Sequence, residues 1–227
     1  RLINIFERSF NKKIFVKDGK FSKDIISLKK FDSVIFAGSL CKKFRRNLND
    51  FKNKAYLISD KKRDKELSKT EFLDNSKIKV GLSWKSVVSI YGKLKSLNLN
   101  DFKNLFTNNI QIINLQYGNV KKDIDEIKKN NLKIYSFNNI DLFNDLDGCM
   151  SILKNLDVFV TVSNSTAHIA AAMGVKTILI CPKYSSTYFY WSNETNNTPW
   201  YNNVTIITMT DSIKKTIDKV NKILEKI

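Results

Sequence analysis

"VFVTVSNSTAHIAAAMGVKTILICP", residues 158 to 182, decides the fold. A β-branched run stops at a polar turn, a segment of small residues follows, and a second β-rich run begins just after Gly174. The outer runs are short and stiff at χ1, as strands are, while the Ala-rich middle favours helix. Strand, helix and strand joined by tight turns form the unit of a parallel sheet, since a parallel return needs a crossover. The chain's one histidine, His168, falls in the first turn of that helix.

The same alternation runs outward from this block. From residue 78 the order reads "IKVGLSW" then "LNDFKNLF", "IQIINLQY" then "VKKDIDEIKKNN", and "KIYSF" then "DLDGCMSILKNL". Past residue 182 come "VTIIT" and "DSIKKTIDKVNKILEKI". Apolar runs alternating with helical patterns predict an α/β fold with a Rossmann-like parallel sheet. Helix-end signals agree: Asp145 or Asp147 suits a cap, Gly174 a stop, and Asp211 or Ser212 a start. Residues 1–76 are thinner. "KIFVKDG", "DSVIFAGSL" and "AYLISD" read as strands and "KKRDKELSKTEFLDN" as a polar helix or linker, too little helix to cover both faces of a sheet. The expected division is a partial N-terminal α/β domain over 1–76 and a ligand-binding domain over 77–227.

Composition narrows the class. The chain has 227 residues, 42% of them hydrophobic, which suffices for buried cores. It starts at Arg1 without a signal or transit segment and reads as a fragment. The longest apolar run, near Ile169 to Pro182, is interrupted by Gly174 and Lys176, so a soluble chain is expected. Cys41, Cys149 and Cys181 are odd in number and lack a CxxC pair, against a disulfide framework or a zinc site and in favour of a reducing cytoplasm. The net charge of +17 comes from scattered lysines. Only "KKFRR" and "DKKRDK" are dense, and neither is interleaved with stacking aromatics. Nucleic acid is therefore set aside, and the charge reads as a solvated surface or as attraction to an anionic membrane or substrate.

Ligands of such sheets bind outside the carboxyl ends of the strands. At the decisive turn, Asn164, Ser165, Thr166 and Ala167 offer a cap and backbone amides to an anion. His168 beside them either donates to a phosphate oxygen or stays neutral because the helix start lowers its pKa. A capped core helix with a satisfied histidine remains open on the local pattern. "GLSWKSVVSIYGKLKSLNL" offers Lys85 and Lys95 as cations, without the spacing of a triphosphate-binding loop. In "NLQYGN", Gln116 can pair with a base edge and Tyr117 can stack. Asp141, Asp145 and Asp147 read as helix caps, with one free to bind ribose hydroxyls and a divalent metal the weaker alternative.

Together "KVGLSWKS", "KSLNL", "FKNLF", "INLQYGN", "DLFNDLDG", "ILKNLDVFVTVSNSTAHIAAAMGVKTILICP" and "TPWYNNVTII" resemble the C-terminal, donor-binding half of a GT-B glycosyltransferase. The likeness is to bacterial proteins that join tetratricopeptide repeats to a domain related to O-linked N-acetylglucosamine transferases and lipopolysaccharide heptosyltransferases. It covers residues 78–208 most strongly. The resemblance implies facing Rossmann-like domains, a nucleotide-diphosphate sugar as substrate, no cofactor, no metal and an acceptor of unknown kind, whether protein, lipid-linked glycan or polysaccharide. It implies Ser165, Thr166 and His168 at the diphosphate, Asn164 at the turn, and Lys85 or Lys95 as the balancing cation. Gln116 and Tyr117 would lie near the base and Asp145 near the sugar or ribose. The general base would come from a missing N-terminal part. Lysines stand where family members carry Arg, and Asn164 stands where heptosyltransferases carry aspartate, so ADP-heptose is disfavoured. A binding module that kept the fold without catalysis is the rival reading.

Overall fold

Strands β1 (Ile78–Ser83), β2 (Ile110–Asn114), β3 (Ile134–Tyr135), β4 (Val158–Val162), β5 (Thr177–Cys181) and β6 (Val204–Thr208) form one parallel sheet in the order β3-β2-β1-β4-β5-β6. The computed structural model describes residues 1–12, 33, 35, 37–70, 76–87, 92–183, 190–191 and 196–227. In the centre Val80 pairs with Ile112 on one side and Val158 on the other. Strands flanked on both edges and covered on both faces must be apolar throughout, and every residue of β4 and β5 is buried.

Alternate side chains supply the two faces. Val80, Leu82, Ile112, Val160 and Ile178 face one layer, built from the 3₁₀ segment Leu99–Leu105 and helices α5 (Lys121–Lys129) and α8 (Ile213–Leu224). Phe102, Ile127, Ile217 and Val220 fill that layer. Ile113, Leu115 and Phe159 face the other, against Met150 and Leu153 of α6 (Leu146–Lys154) and Ala170 of α7 (Ser165–Ala172). Gly81 sits on this second face, where a Cβ would lie 2.4 Å from Leu156 Cδ1 and 2.8 Å from Leu115 Cδ1. Its missing side chain lets those leucines close over the strand. Gly174, at φ +80°, turns the chain from α7 toward β5.

Among the described residues of the first seventy, the structure departs from the expected strands. Residues 32–40 were expected as a strand, but Ala37–Phe44 is helix α2. Its apolar run is too short to set a period, and the Leu, Cys and Lys residues that follow carry the helix onward. Residues 55–60 form no strand. The Tyr56 and Leu57 amides instead both donate to Ala172 O, at 2.8 and 3.0 Å, meeting a carbonyl that the end of α7 leaves over. The expected strand over 13–19 lies outside the described residues. Within 61–75, helix α3 (Lys61–Ser68) forms behind an Asp60 cap. A four-residue helix, α4 (Gly92–Lys95), follows the β1 loop. No described helix is long and apolar enough to cross a membrane.

The second sheet face is completed by this same early region. Ile5 of α1 (Ile3–Phe10) and Leu67 of α3 are buried with Ile113, Met150 and Phe159. Ile5→Ala should therefore cost about 2–5 kcal/mol, as for other buried Ile truncations. Urea unfolding followed by circular dichroism checks this, and an unchanged midpoint would show that α1 contributes no core.

Candidate functional site

The strand order reverses direction between β1 and β4, and in doubly wound sheets ligands enter the crevice at that switch. Its floor is a network of side-chain amides. Asn164 caps α7, accepting from Ala167 N at 3.0 Å, while its Nδ2 donates to Ser83 Oγ at 2.9 Å and to Thr161 Oγ1 at 3.3 Å. Ser83 Oγ in turn donates to Gln116 Oε1 at 3.0 Å. The same oxygen accepts from Trp84 N at 2.9 Å and Lys85 N at 2.7 Å, and Gln116 Nε2 donates to Tyr117 O at 3.0 Å. The ends of β1, β2 and β4 are thereby joined. Further along the β1 loop, Ser96 Oγ accepts from Ser86 N at 3.0 Å and donates to Gly92 O at 2.7 Å.

Beside this floor lies a cavity of about 830 Å3. Ser165, Thr166 and His168 of α7 and Tyr117 after β2 line one side; Phe6 and Phe10 of α1 line another. Most of the wall is apolar or aromatic, and no carboxylate lines it among the described residues. Arg1 is the cation in the lining, donating to Phe143 O at 2.6 Å with its guanidinium 4.7 Å from that ring's centre.

His168 is held in an aromatic cage. Its ring stacks on Trp191 at 4.4 Å and 22°, meets Tyr190 edge-on at 4.8 Å and 74°, and puts Nδ1 3.2 Å from the Tyr201 hydroxyl. Burial pushes its pKa down from 6.5 to about 4, so at neutral pH the imidazole is uncharged. The sequence had offered the helix start as the cause of a neutral ring; desolvation is the cause in the structure.

The expected site residues divide by where they sit. Tyr117, Ser165, Thr166 and His168 share the cavity. Asn164, Gln116 and Ala167 lie behind it, buried, with both ends of the Gln116 amide given to loop backbone rather than turned to a ligand. Lys85 Nζ is 2.5 Å from Asp123 Oδ2. Lys95 is only 2% exposed and near enough to Cys181 to bear on its thiol, which burial pushes up to about 12. Neither lysine lines the cavity. Asp145 is the helix cap that the sequence offered, and it carries an ion pair that the sequence did not. Both its oxygens accept from Arg63 at 2.6 Å, Oδ1 also caps Gly148 N at 2.9 Å, and the guanidinium holds its carboxyl below the usual range. It is a cap and an ion-pair partner away from the cavity, because α3 supplies an arginine that local pattern could not foresee.

The other carboxylates of that stretch are also engaged. Asp141 accepts from Asn144 and from the Phe143 amide, and Asp147 pairs with Arg8. Among the described residues no group of three His, Cys, Asp or Glu gathers to hold a metal. The sequence reading missed Tyr201, Trp191 and the α1 wall. The aromatic density near "TPWY" was visible, but its approach to His168 is a product of the fold.

No family model matches the chain. Protein FlbA of Caulobacter vibrioides is 30% identical over 134 residues, 56% of this chain and 21% of that protein. The chain thus spans about a fifth of the length of this curated relative. Among solved structures, E. coli ADP-heptose LPS heptosyltransferase II superposes with a TM-score of 0.54 at 13% identity, over 82% of this chain and 59% of that one. A glycosyl transferase family 9 structure from Veillonella parvula aligns at 0.48 and 12% identity, over 75% and 46% of the two chains. The similarity to the heptosyltransferase is one of fold: a Rossmann-like parallel sheet of the kind found in GT-B glycosyltransferases.

The floor and the cage each yield a measurable expectation. Gln116→Leu leaves the Ser83 hydroxyl and the Trp84 and Lys85 amides without their acceptor, so a loss of about 3 kcal/mol or more is expected in urea unfolding. His168 has a folded pKa of about 4 against 6.5, so between those values the unfolded chain takes up a proton that the folded chain refuses. Its contribution to stability is present above pH 6.5 and falls by about 3 kcal/mol as pH drops to 4. His168→Gln should flatten that part of the pH–stability curve; an identical slope in variant and wild type would refute the assignment.

Proposed function

We propose that the crevice holds the diphosphate of a nucleotide-sugar donor, and that the chain is the donor-binding part of a glycosyltransferase. The start of α7 carries this reading. It opens on the cavity with Ser165 and Thr166, is fixed by the Asn164 cap, and stands at the sheet's switch point. A helix start presents unpaired amides and the positive end of its dipole, which suits phosphate oxygens. Tyr117, in the same cavity, suits the base. We assign donor binding to residues 77–227 and the acceptor side to 1–76.

In the proposed reaction an acceptor hydroxyl oxygen bonds to the anomeric carbon as the bond from that carbon to the diphosphate breaks. The electron pair leaves with the nucleoside diphosphate, whose growing charge is met by the α7 amides and by neutral His168 as a hydrogen-bond donor. The described lining holds no carboxylate, and the reading assigns the base that takes the acceptor's proton to the acceptor side of the crevice. No metal enters the scheme. A lysine would share the diphosphate charge, and Lys85 can do so by leaving Asp123. The acceptor is left at the level of a hydroxyl on protein, lipid-linked glycan or polysaccharide. The setting proposed is a bacterial cytoplasm, with tetratricopeptide repeats elsewhere in the protein and the +17 charge available to an anionic membrane surface.

One observation favours the rival, a binding module without catalysis: Lys85 already has a partner and Lys95 is buried. Turnover separates the two, because only a transferase releases nucleoside diphosphate from a nucleotide sugar when acceptor is present.

Binding itself has a sharper test. Asn164, before the helix, has φ −148° and ψ 179°, a conformation compatible with a following proline. Ser165→Pro at the first helical position removes one amide donor while keeping the helix. Affinity for UDP-, GDP- or ADP-sugar, read by thermal shift and calorimetry, should fall about tenfold with little change in the stability of the free protein. Equal affinities in variant and wild type, or no binding of any nucleotide sugar, would remove the site.

A further inference from the structure

We propose that Tyr201 is a positioning residue for His168, its hydroxyl donating to Nδ1 and so keeping the ring proton on Nε2, the nitrogen left for a ligand oxygen. The proposal rests on the reading above only for its catalytic consequence; the tautomer itself is set within the folded chain.

The geometry offers two arrangements of the proton. Nδ1 of His168 and the Tyr201 hydroxyl are 3.2 Å apart, so one of them donates. Burial drives the ionisation of Tyr201 far up and the nearby Tyr56 side chain raises it further, so its hydroxyl keeps its single proton. If Nδ1–H donated, Tyr201 would pass its proton to Tyr56, and Nε2 would bear a lone pair. If Tyr201 donates to Nδ1, Nε2 carries the proton. An imidazole nitrogen is a stronger base than a phenol oxygen, and a phenol is a stronger acid than a neutral imidazole. The O–H···N pairing is therefore the better bond. Tyr56 is 43% exposed, so its oxygen can accept from water and does not need the Tyr201 proton.

The cage prevents the ring from turning over to exchange its nitrogens. Trp191 lies flat on it, Tyr190 abuts it edge-on, and Trp191 is itself anchored by donating from Nε1 to Ser163 Oγ at 3.1 Å. Ser163 is the residue before the Asn164 cap, so the imidazole's orientation is tied to the turn that starts α7. No hydrogen bond from Nε2 to another described residue competes for its proton. A neutral Nε2–H at this position gives an oxyanion a donor; the other tautomer would oppose it with a lone pair.

Because the chain has one histidine, its imidazole nitrogens are the only ones in a long-range 1H–15N spectrum of uniformly labelled protein. At pH 7 and without nucleotide, the expected pattern is a single tautomer, with Nδ1 unprotonated and Nε2 protonated. Tyr201→Phe should collapse it to averaged shifts of mixed tautomers, while Tyr56→Phe should leave it in place. A wild-type spectrum showing Nδ1–H or a mixture overturns the proposal. So does a folded Tyr201→Phe protein that keeps the single Nε2–H form, or a Tyr56→Phe protein that switches to Nδ1–H. The wild-type and Tyr56→Phe spectra decide even where Tyr201→Phe fails to fold. None of these measurements uses a nucleotide sugar. Absence of UDP-, GDP- and ADP-sugar binding would remove the donor-site reading and leave the tautomer assignment standing.

Discussion

The hydroxyl of Ser83 stands between two buried amides, and the crevice depends on it. It accepts from Asn164 Nδ2 at 2.9 Å and donates to Gln116 Oε1 at 3.0 Å, so one atom links the ends of β1, β2 and β4. All three residues are buried, Asn164 being the most exposed at 8%. Out of water, an unpaired amide or hydroxyl costs more than its hydrogen bond contributes, so each group holds the others in place. The helix that begins at Ser165 inherits its position from this link, since Asn164 is at once cap and tie.

That constraint explains how polar chemistry is assembled beside an apolar cavity. The sheet demands cover on both faces, and the second face receives it from α6 and α7 and from Ile5 and Leu67 of the early region. Bringing α1 against the sheet also brings Phe6 and Phe10 to the cavity that α7 opens onto. Helix starts supply dipoles and amides without needing a charged side chain nearby. Consistent with that, Lys85 is engaged by Asp123, Asp145 by Arg63 and Asp147 by Arg8, and the cavity's α7 side is left to hydroxyls and a neutral ring.

The aromatic cage adds a second layer of control. His168 is desolvated by its neighbours, which come from two separate stretches, Tyr190 and Trp191 from after β5 and Tyr201 from before β6, and Tyr56 from before the sheet lines the same cavity. The Tyr56 segment is fastened to the far end of the same helix through Ala172 O. Both ends of α7 are thus held by groups distant in sequence.

Periodicity alone revealed the strands from residue 78 onward, because a sheet buried on both faces must be written in unbroken apolar runs such as "VFVTV" and "TILIC". It revealed the turn at Asn164 for the same local reason: a cap is a bond within four residues. The strand expected over 55–60 and the described part from Ala37 of the one expected over 32–40 are not strand, because short apolar runs carry no period and the outcome turned on whether a partner strand or a helix end lay within reach. Asp145 and Gln116 were named from the sequence as candidate site residues, but their partners, Arg63 and the β1 loop, lie 82 and about thirty residues away. The neutral state of His168 was offered by the sequence only as an alternative and for another cause. Sequence determined which groups could act, since composition and short-range bonding are written residue by residue. Only the tertiary structure decided which were already engaged and which met a cavity, because burial and pairing are properties of distant segments brought together.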